Sequence, residues 1–187
     1  MVYVALSCRC VMAITFGFSF FSKIRNGNAF REFAAWVGGV PPVSRRTQLP
    51  VAVTLVAGEL VVTGTVIAPG TARWGLTLAA LLLTVFAAGI YAALRRGVRA
   101  PCRCFGASTT PLGWSQVVRN TLLALVAVAG AIAQGSQRGV TVPGVILSLA
   151  TAALLVVPVI FYDDLAFLLQ RQAPTSVALA ARPSPEN

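Results

Sequence analysis

Apolar residues in this chain fall into long runs rather than into a strict alternation. Five stretches, at about 2 to 22, 50 to 68, 74 to 94, 115 to 134 and 141 to 162, carry few charges. Each lies within the ~17 to 25 residues that a helix needs to cross a hydrocarbon core. Turn-forming segments separate them: "VGGVPPVSRRTQLP", "APGTAR", "RAPCRCFGAS" and "QGSQRGVTVPG". The pattern predicts an all-α integral membrane bundle of five spanning helices over residues 1–170. A Pro-, Ser- and Ala-rich tail, 171–187, is expected to be disordered. The fourth run is the weakest, because its uninterrupted core "TLLALVAVAGAIA" is short. Arg119 is therefore expected near a helix end, its head drawn towards lipid headgroups. A bundle of four helices with one interfacial segment is the alternative.

Composition points to the same solvent. With 57% hydrophobic and 11% charged residues and a mean hydropathy of +0.79, the chain lies far outside the range of a soluble domain. A multi-pass protein of the cell membrane, with the lipid bilayer as its surroundings, is expected. The opening "MVYVALS" offers neither the basic region nor the apolar core of a cleavable leader, so the first run is expected to be a permanent span.

The net charge of +10 would suggest nucleic acid for a soluble protein, but here it sorts by membrane side, and no nucleic-acid partner is expected. Lys23, Arg25, Arg31, Arg45 and Arg46 follow the first run. Arg95, Arg96, Arg99 and Arg103 follow the third, whereas only Arg73 and Arg138 fall on the other side. By the positive-inside bias the N-terminus is extracytoplasmic, and the "PCRCFG" loop and the tail, with Arg171 and Arg182, are cytoplasmic.

All four cysteines occur in two Cys-Arg-Cys triplets, Cys8/Cys10 and Cys102/Cys104. Such a pair is a reversible disulfide, half of a metal site, or two packing thiols. For Cys8 and Cys10 packing is the plain reading: cysteine in an apolar helix acts as a small hydrophobe, and helical residues two apart point away from each other. Cys102 and Cys104 have other company, with Pro101 before them, Gly106 after them and Arg95, Arg96, Arg99 and Arg103 close by. Positive charge favours the thiolate, the form that exchanges. A disulfide across two positions closes a tight ring that is easily reduced. Metal binding is disfavoured because the chain has no histidine, which leaves only an all-thiolate or interchain site; no metal is expected. A purely structural turn is the remaining alternative.

Glu59 falls mid-span, where a carboxylate is expensive and usually faces the bundle interior with a partner. Thr63, one turn on, shares its face. The plainer reading is a hydrogen bond to a neighbouring helix; the functional one is management of the protons that accompany thiol exchange. Asp163 and Asp164 read as a polar stop, Trp36, Trp74 and Trp114 as an interfacial belt, and Gly58 with Gly64 as helix-packing contacts. No phosphate loop, haem motif or hydrolase triad is present.

The blocks "PCRCFG", "WSQVVRN" with Trp114, Arg119 and Asn120, "FFSKIRN" with Lys23, and "LPVAVTLVAGELVVTG" with Glu59 together resemble the methylamine-utilisation MauE family, within the DoxX-like membrane proteins, over roughly residues 10 to 165. The resemblance implies a multispanning maturation factor for the disulfide-bearing small subunit of methylamine dehydrogenase, working with a thioredoxin-like partner. Cys102 and Cys104 would then be the exchanging pair, supported by Arg103, Glu59, Arg119 and Asn120. Nothing carries over to Cys8 and Cys10, and relatives of this type also occur outside methylamine metabolism. The sequence specifies no cofactor, and a quinone stays open.

Two functions are carried forward. One is a membrane thiol-disulfide redox or maturation factor for an extracytoplasmic client with disulfides, a possible thiol-disulfide oxidoreductase. The other is a non-enzymatic DoxX-like membrane partner or small-solute permease. The charge bias places "PCRCFG" on the cytoplasmic side, although disulfides are made on the oxidising side. Three resolutions are open: an electron relay between Cys102/Cys104 and Cys8/Cys10, a loop that defies the bias, or a loop that re-enters the bundle.

Overall fold

The computed structural model describes residues 2–40, 43–68, 70–97, 113–134 and 142–171, with side chains in the last segment described to Val156. Among the described residues the elements are six helices: α1 Val2–Ile24, α2 Gly27–Gly38, α3 Gln48–Ile67, α4 Ala72–Arg95, α5 Trp114–Ala133 and α6 Val142–Arg171. Among the described residues four helices, α1, α3, α4 and α5, are long and apolar enough to cross a membrane. The protein is thus an all-α, multi-pass membrane bundle, and this count is the four-span alternative. The fifth expected span lies on α6, whose described apolar part is Val142–Val156. The tail expected at 171–187 lies, from 172 on, outside the described residues, as do the side chains of Asp163 and Asp164.

Local chemistry explains the helix ends. Arg9 of α1 donates from Nε to the Val66 carbonyl at 3.0 Å and from Nη2 to the Ile67 carbonyl at 3.1 Å, satisfying two of the acceptors that the last turn of α3 leaves open. The α3–α4 turn passes through Gly70, whose φ of +85° suits glycine, and α4 gives way at Gly97 with φ +70°. At the start of α5 the Gly113 amide donates to Gln116 Oε1 at 2.7 Å.

The segment between the first two runs, read as a charged loop, contains a short helix. Asn26 caps α2, its side chain accepting from the Ala29 amide at 2.7 Å. Phe33, Ala34 and Val37 form the buried face of α2 and pack against Ala52 and Val56 of α3.

α1 is the hub, touching each of the other five helices. The central core joins Met12 and Phe16 of α1 with Val62 and Val66 of α3, Leu76 and Leu83 of α4, Ala127 of α5 and Ala152 of α6. Lipid is as apolar as these side chains, so close packing rather than escape from water holds the helices together. Small residues permit it: a Cβ on Gly75 would meet the Val66 amide nitrogen at 2.7 Å, and one on Gly130 would meet Cys8 Cβ at 2.6 Å. Gly58 packs under Leu82, whereas Gly64 has no such neighbour. Leu60, Leu81, Leu122, Leu125 and Ile132 are exposed, as a bilayer solvent requires. Trp74 and Trp114, also exposed, sit at the helix starts, while Trp36 stacks on Phe33 within the fold.

A buried polar site at one end of the bundle

Ser19 and Lys23 lie one turn apart on the inward face of α1, and Glu59 projects from the middle of α3 to meet them. Lys23 Nζ is 2.6 Å from Glu59 Oε1 and donates to Ser19 Oγ at 2.6 Å. Ser19 Oγ donates in turn to Glu59 Oε1 at 2.9 Å. Lys23 is 2% exposed and Glu59 0%. The ammonium is flanked by aromatic rings, with Nζ 4.8 Å from the Phe33 centroid on α2 and 5.9 Å from that of Phe86 on α4. Both faces attract a cation through the ring quadrupole, so α2 closes the pair off from one side and α4 from another.

Glu59 uses only one of its two oxygens. Oε2 is buried without a hydrogen-bond partner, and so are Thr15 Oγ1, one turn from Ser19, and Asn120 Oδ1. Unpartnered buried acceptors are rare because each loses its hydration without compensation. Thr63, expected on the same face one turn on, donates its hydroxyl to the Glu59 main-chain carbonyl at 2.8 Å.

The first turns of α5 bring a second polar set. Gln116, Arg119 and Asn120 are all buried, and Asn120 Nδ2 donates to the Gln116 carbonyl at 2.7 Å. Cys8 of α1 packs against Gly130 of α5. Eleven residues inward along each of these antiparallel helices, ~16 Å of rise, lie Ser19 and Arg119. The two polar sets therefore occupy the same depth. Arg119 does not reach to the headgroups as expected: it is 7% exposed, because its face of α5 turns inward. Lys23, read as a loop charge, is likewise interior.

Of the expected site residues, Glu59, Arg119 and Asn120 thus share one buried layer, which Ser19, Lys23 and Gln116 join. Cys102, Arg103 and Cys104 lie outside the described residues, in the segment between α4 and α5. The flanking helices meet at that end, where Tyr91 and Trp114 pack edge to face at 5.7 Å. Cys8 is buried and Cys10 half-buried on α1, both as free thiols. The helix turns them apart, and Cys8 fills the space over Gly130. Among the described residues no group of three or more His, Cys, Asp or Glu side chains could hold a metal ion.

No curated protein and no solved structure matches the chain. The family model of the methylamine utilisation protein MauE matches residues 1–133, a stretch that includes α1 to α5, the whole buried polar layer and the Cys-Arg-Cys-Phe-Gly block. On that match the chain belongs to the MauE family.

Proposed function

We propose that the chain is a membrane thiol-disulfide redox factor that helps mature an extracytoplasmic client protein, of the methylamine dehydrogenase type, together with a thioredoxin-like partner. One juxtaposition carries the reading. The segment with Cys102 and Cys104 leaves α4 and enters α5 at the end of the bundle nearest the buried Ser19–Lys23–Glu59 cluster. Phe86, against Lys23, is only ~14 Å of helical rise from Arg95, the last residue of α4. Family membership supports the same assignment.

The chemistry balances without a bound cofactor. A client thiolate attacks one sulfur of the Cys102–Cys104 disulfide, that bond breaks, and a mixed disulfide forms. The client's second thiolate attacks the mixed disulfide, the client bond closes, and Cys102 and Cys104 are released as a dithiol holding two electrons and two protons. The disulfide form of the thioredoxin-like partner takes those electrons by the same exchange in reverse. Glu59, with a free oxygen among fixed donors, serves as the local proton acceptor. Arg103 and its neighbouring arginines favour the thiolate.

Trapping tests the assignment. With the resolving thiol removed, the full-length Cys104→Ser or Cys102→Ser protein in native membranes is expected to accumulate a mixed disulfide with a thioredoxin-like protein, seen on a non-reducing gel and identified by mass. If neither variant traps a partner and the double variant keeps full biological activity, the alternative of a non-enzymatic membrane partner or permease replaces this reading.

A further inference from the structure

At the opposite end of the bundle from the polar layer, α4 and α5 leave a groove of about 430 Å³ between them on the lipid-facing side. Arg73 stands at its mouth, and Thr77, Ala80 and Thr84 of α4 with Val128 and Ala131 of α5 run down its length. The two alanines, half-buried, lie between more exposed neighbours. Small side chains there let a thin occupant sink between the helices.

Although two threonines line the groove, their hydroxyls point back into the helix. Thr77 Oγ1 donates to the Arg73 carbonyl at 2.9 Å and Thr84 Oγ1 to the Ala80 carbonyl at 2.8 Å. Each hydroxyl's donor is thereby engaged, leaving only its acceptor lone pairs, and below Arg73 the slot is lined mainly by hydrocarbon. From Arg73 to Thr84 the groove runs ~16 Å along α4, about one leaflet of a ~30 Å hydrocarbon core.

Arg73 lies in the first turn of α4 beside Trp74, which is 74% exposed, as an interfacial tryptophan would be. Arg73 itself is exposed. The one acidic residue on α3, α4 or α5 is Glu59, engaged by Lys23 in the other half of the bundle. Arg9, the other arginine at this end of the described helices, is bonded to the last carbonyls of α3. Among the described residues, Arg73 therefore presents a cation with no carboxylate partner at headgroup depth, above an apolar slot one leaflet deep.

We propose that this groove is a binding site for an anionic phospholipid, with one acyl chain between α4 and α5 and the headgroup phosphate on Arg73. The site is independent of the thiol chemistry, since it shares no residue with it.

Native mass spectrometry of the full-length protein, taken from vesicles of equal parts phosphatidylethanolamine and phosphatidylglycerol, tests the site. The wild type is expected to retain one phosphatidylglycerol with about five-fold preference, as one interfacial arginine would give. Arg73→Gln should still retain a lipid but lose the preference, and Ala131→Phe, which fills the slot, should lose the retained lipid. Preference surviving in Arg73→Gln, or retention unchanged in Ala131→Phe, would overturn the proposal. So would displacement of phosphatidylglycerol by ubiquinone added to the wild-type vesicles, which would assign the slot to an isoprenoid tail.

Discussion

Lys23 and Glu59, 36 residues apart in the chain, meet inside the bundle with Nζ 2.6 Å from Oε1. This contact fixes the end of α1 against the middle of α3 and sets a charged pair inside the bundle.

The pair should behave as a unit. Removing one partner leaves a buried charge uncompensated, which typically costs about 3–5 kcal/mol, whereas replacing both with apolar residues is often neutral. Lys23→Met alone should lower the melting temperature of the detergent-solubilised protein markedly, and Lys23→Met with Glu59→Leu should recover most of the loss. Purely additive losses would mean that the two charges do not depend on each other.

Glu59→Gln keeps the shape and an oxygen for Lys23 but cannot take a proton. If Glu59 accepts the protons of exchange, this variant should slow client oxidation by about 100-fold, a usual contribution of a placed acid or base. Its rate should also lose the part of the wild-type pH dependence that the carboxylate contributes, keeping the part set by thiol ionisation. A slower rate with the wild-type pH profile would indicate a structural role only.

Cys8 and Cys10 should be dispensable for exchange. Cys8 is packed over Gly130, and α1 holds both thiols on diverging faces. Replacing both with Ala should leave disulfide transfer undiminished, measured with the thioredoxin-like partner. Loss of transfer as complete as in the Cys102 and Cys104 double variant would restore the electron relay.

The approach of α1 to α5 at Gly130 is too close for a larger residue. Gly130→Val should destabilise by about 1–3 kcal/mol, the usual cost of overpacking, read as a lower melting temperature. Combination with Cys8→Gly should recover part of it, since the clash is with Cys8 Cβ.

The four spans were legible because each is an apolar run of membrane length, and their ends fall within two residues of those expected. Glu59 was legible as interior, since a mid-span carboxylate has nowhere else to go. Its partner was not. Lys23 stands one residue from the end of α1, where a long basic side chain ordinarily reaches outward to headgroups, and only tertiary contact, with Glu59, Phe33 and Phe86, turns it in. The same holds for Arg119, whose position near a helix start says nothing about which face is covered. α2 carried a readable signal that its charged surroundings hid: Phe30, Phe33, Ala34 and Val37 recur at helical spacing behind an Asn cap. No local pattern could have announced that Cys8 rests on Gly130, because the two are brought together by the bundle alone.

Under the proposed function, Cys102 and Cys104 cycle together between disulfide and dithiol. Its most direct test counts thiols by intact mass after alkylation of the full-length Cys8→Ala/Cys10→Ala protein in native membranes. No adduct is expected in the oxidised protein, two adducts should be gained together on treatment with reduced thioredoxin, and both should be lost again on reoxidation. Two adducts present whatever the redox treatment would contradict it.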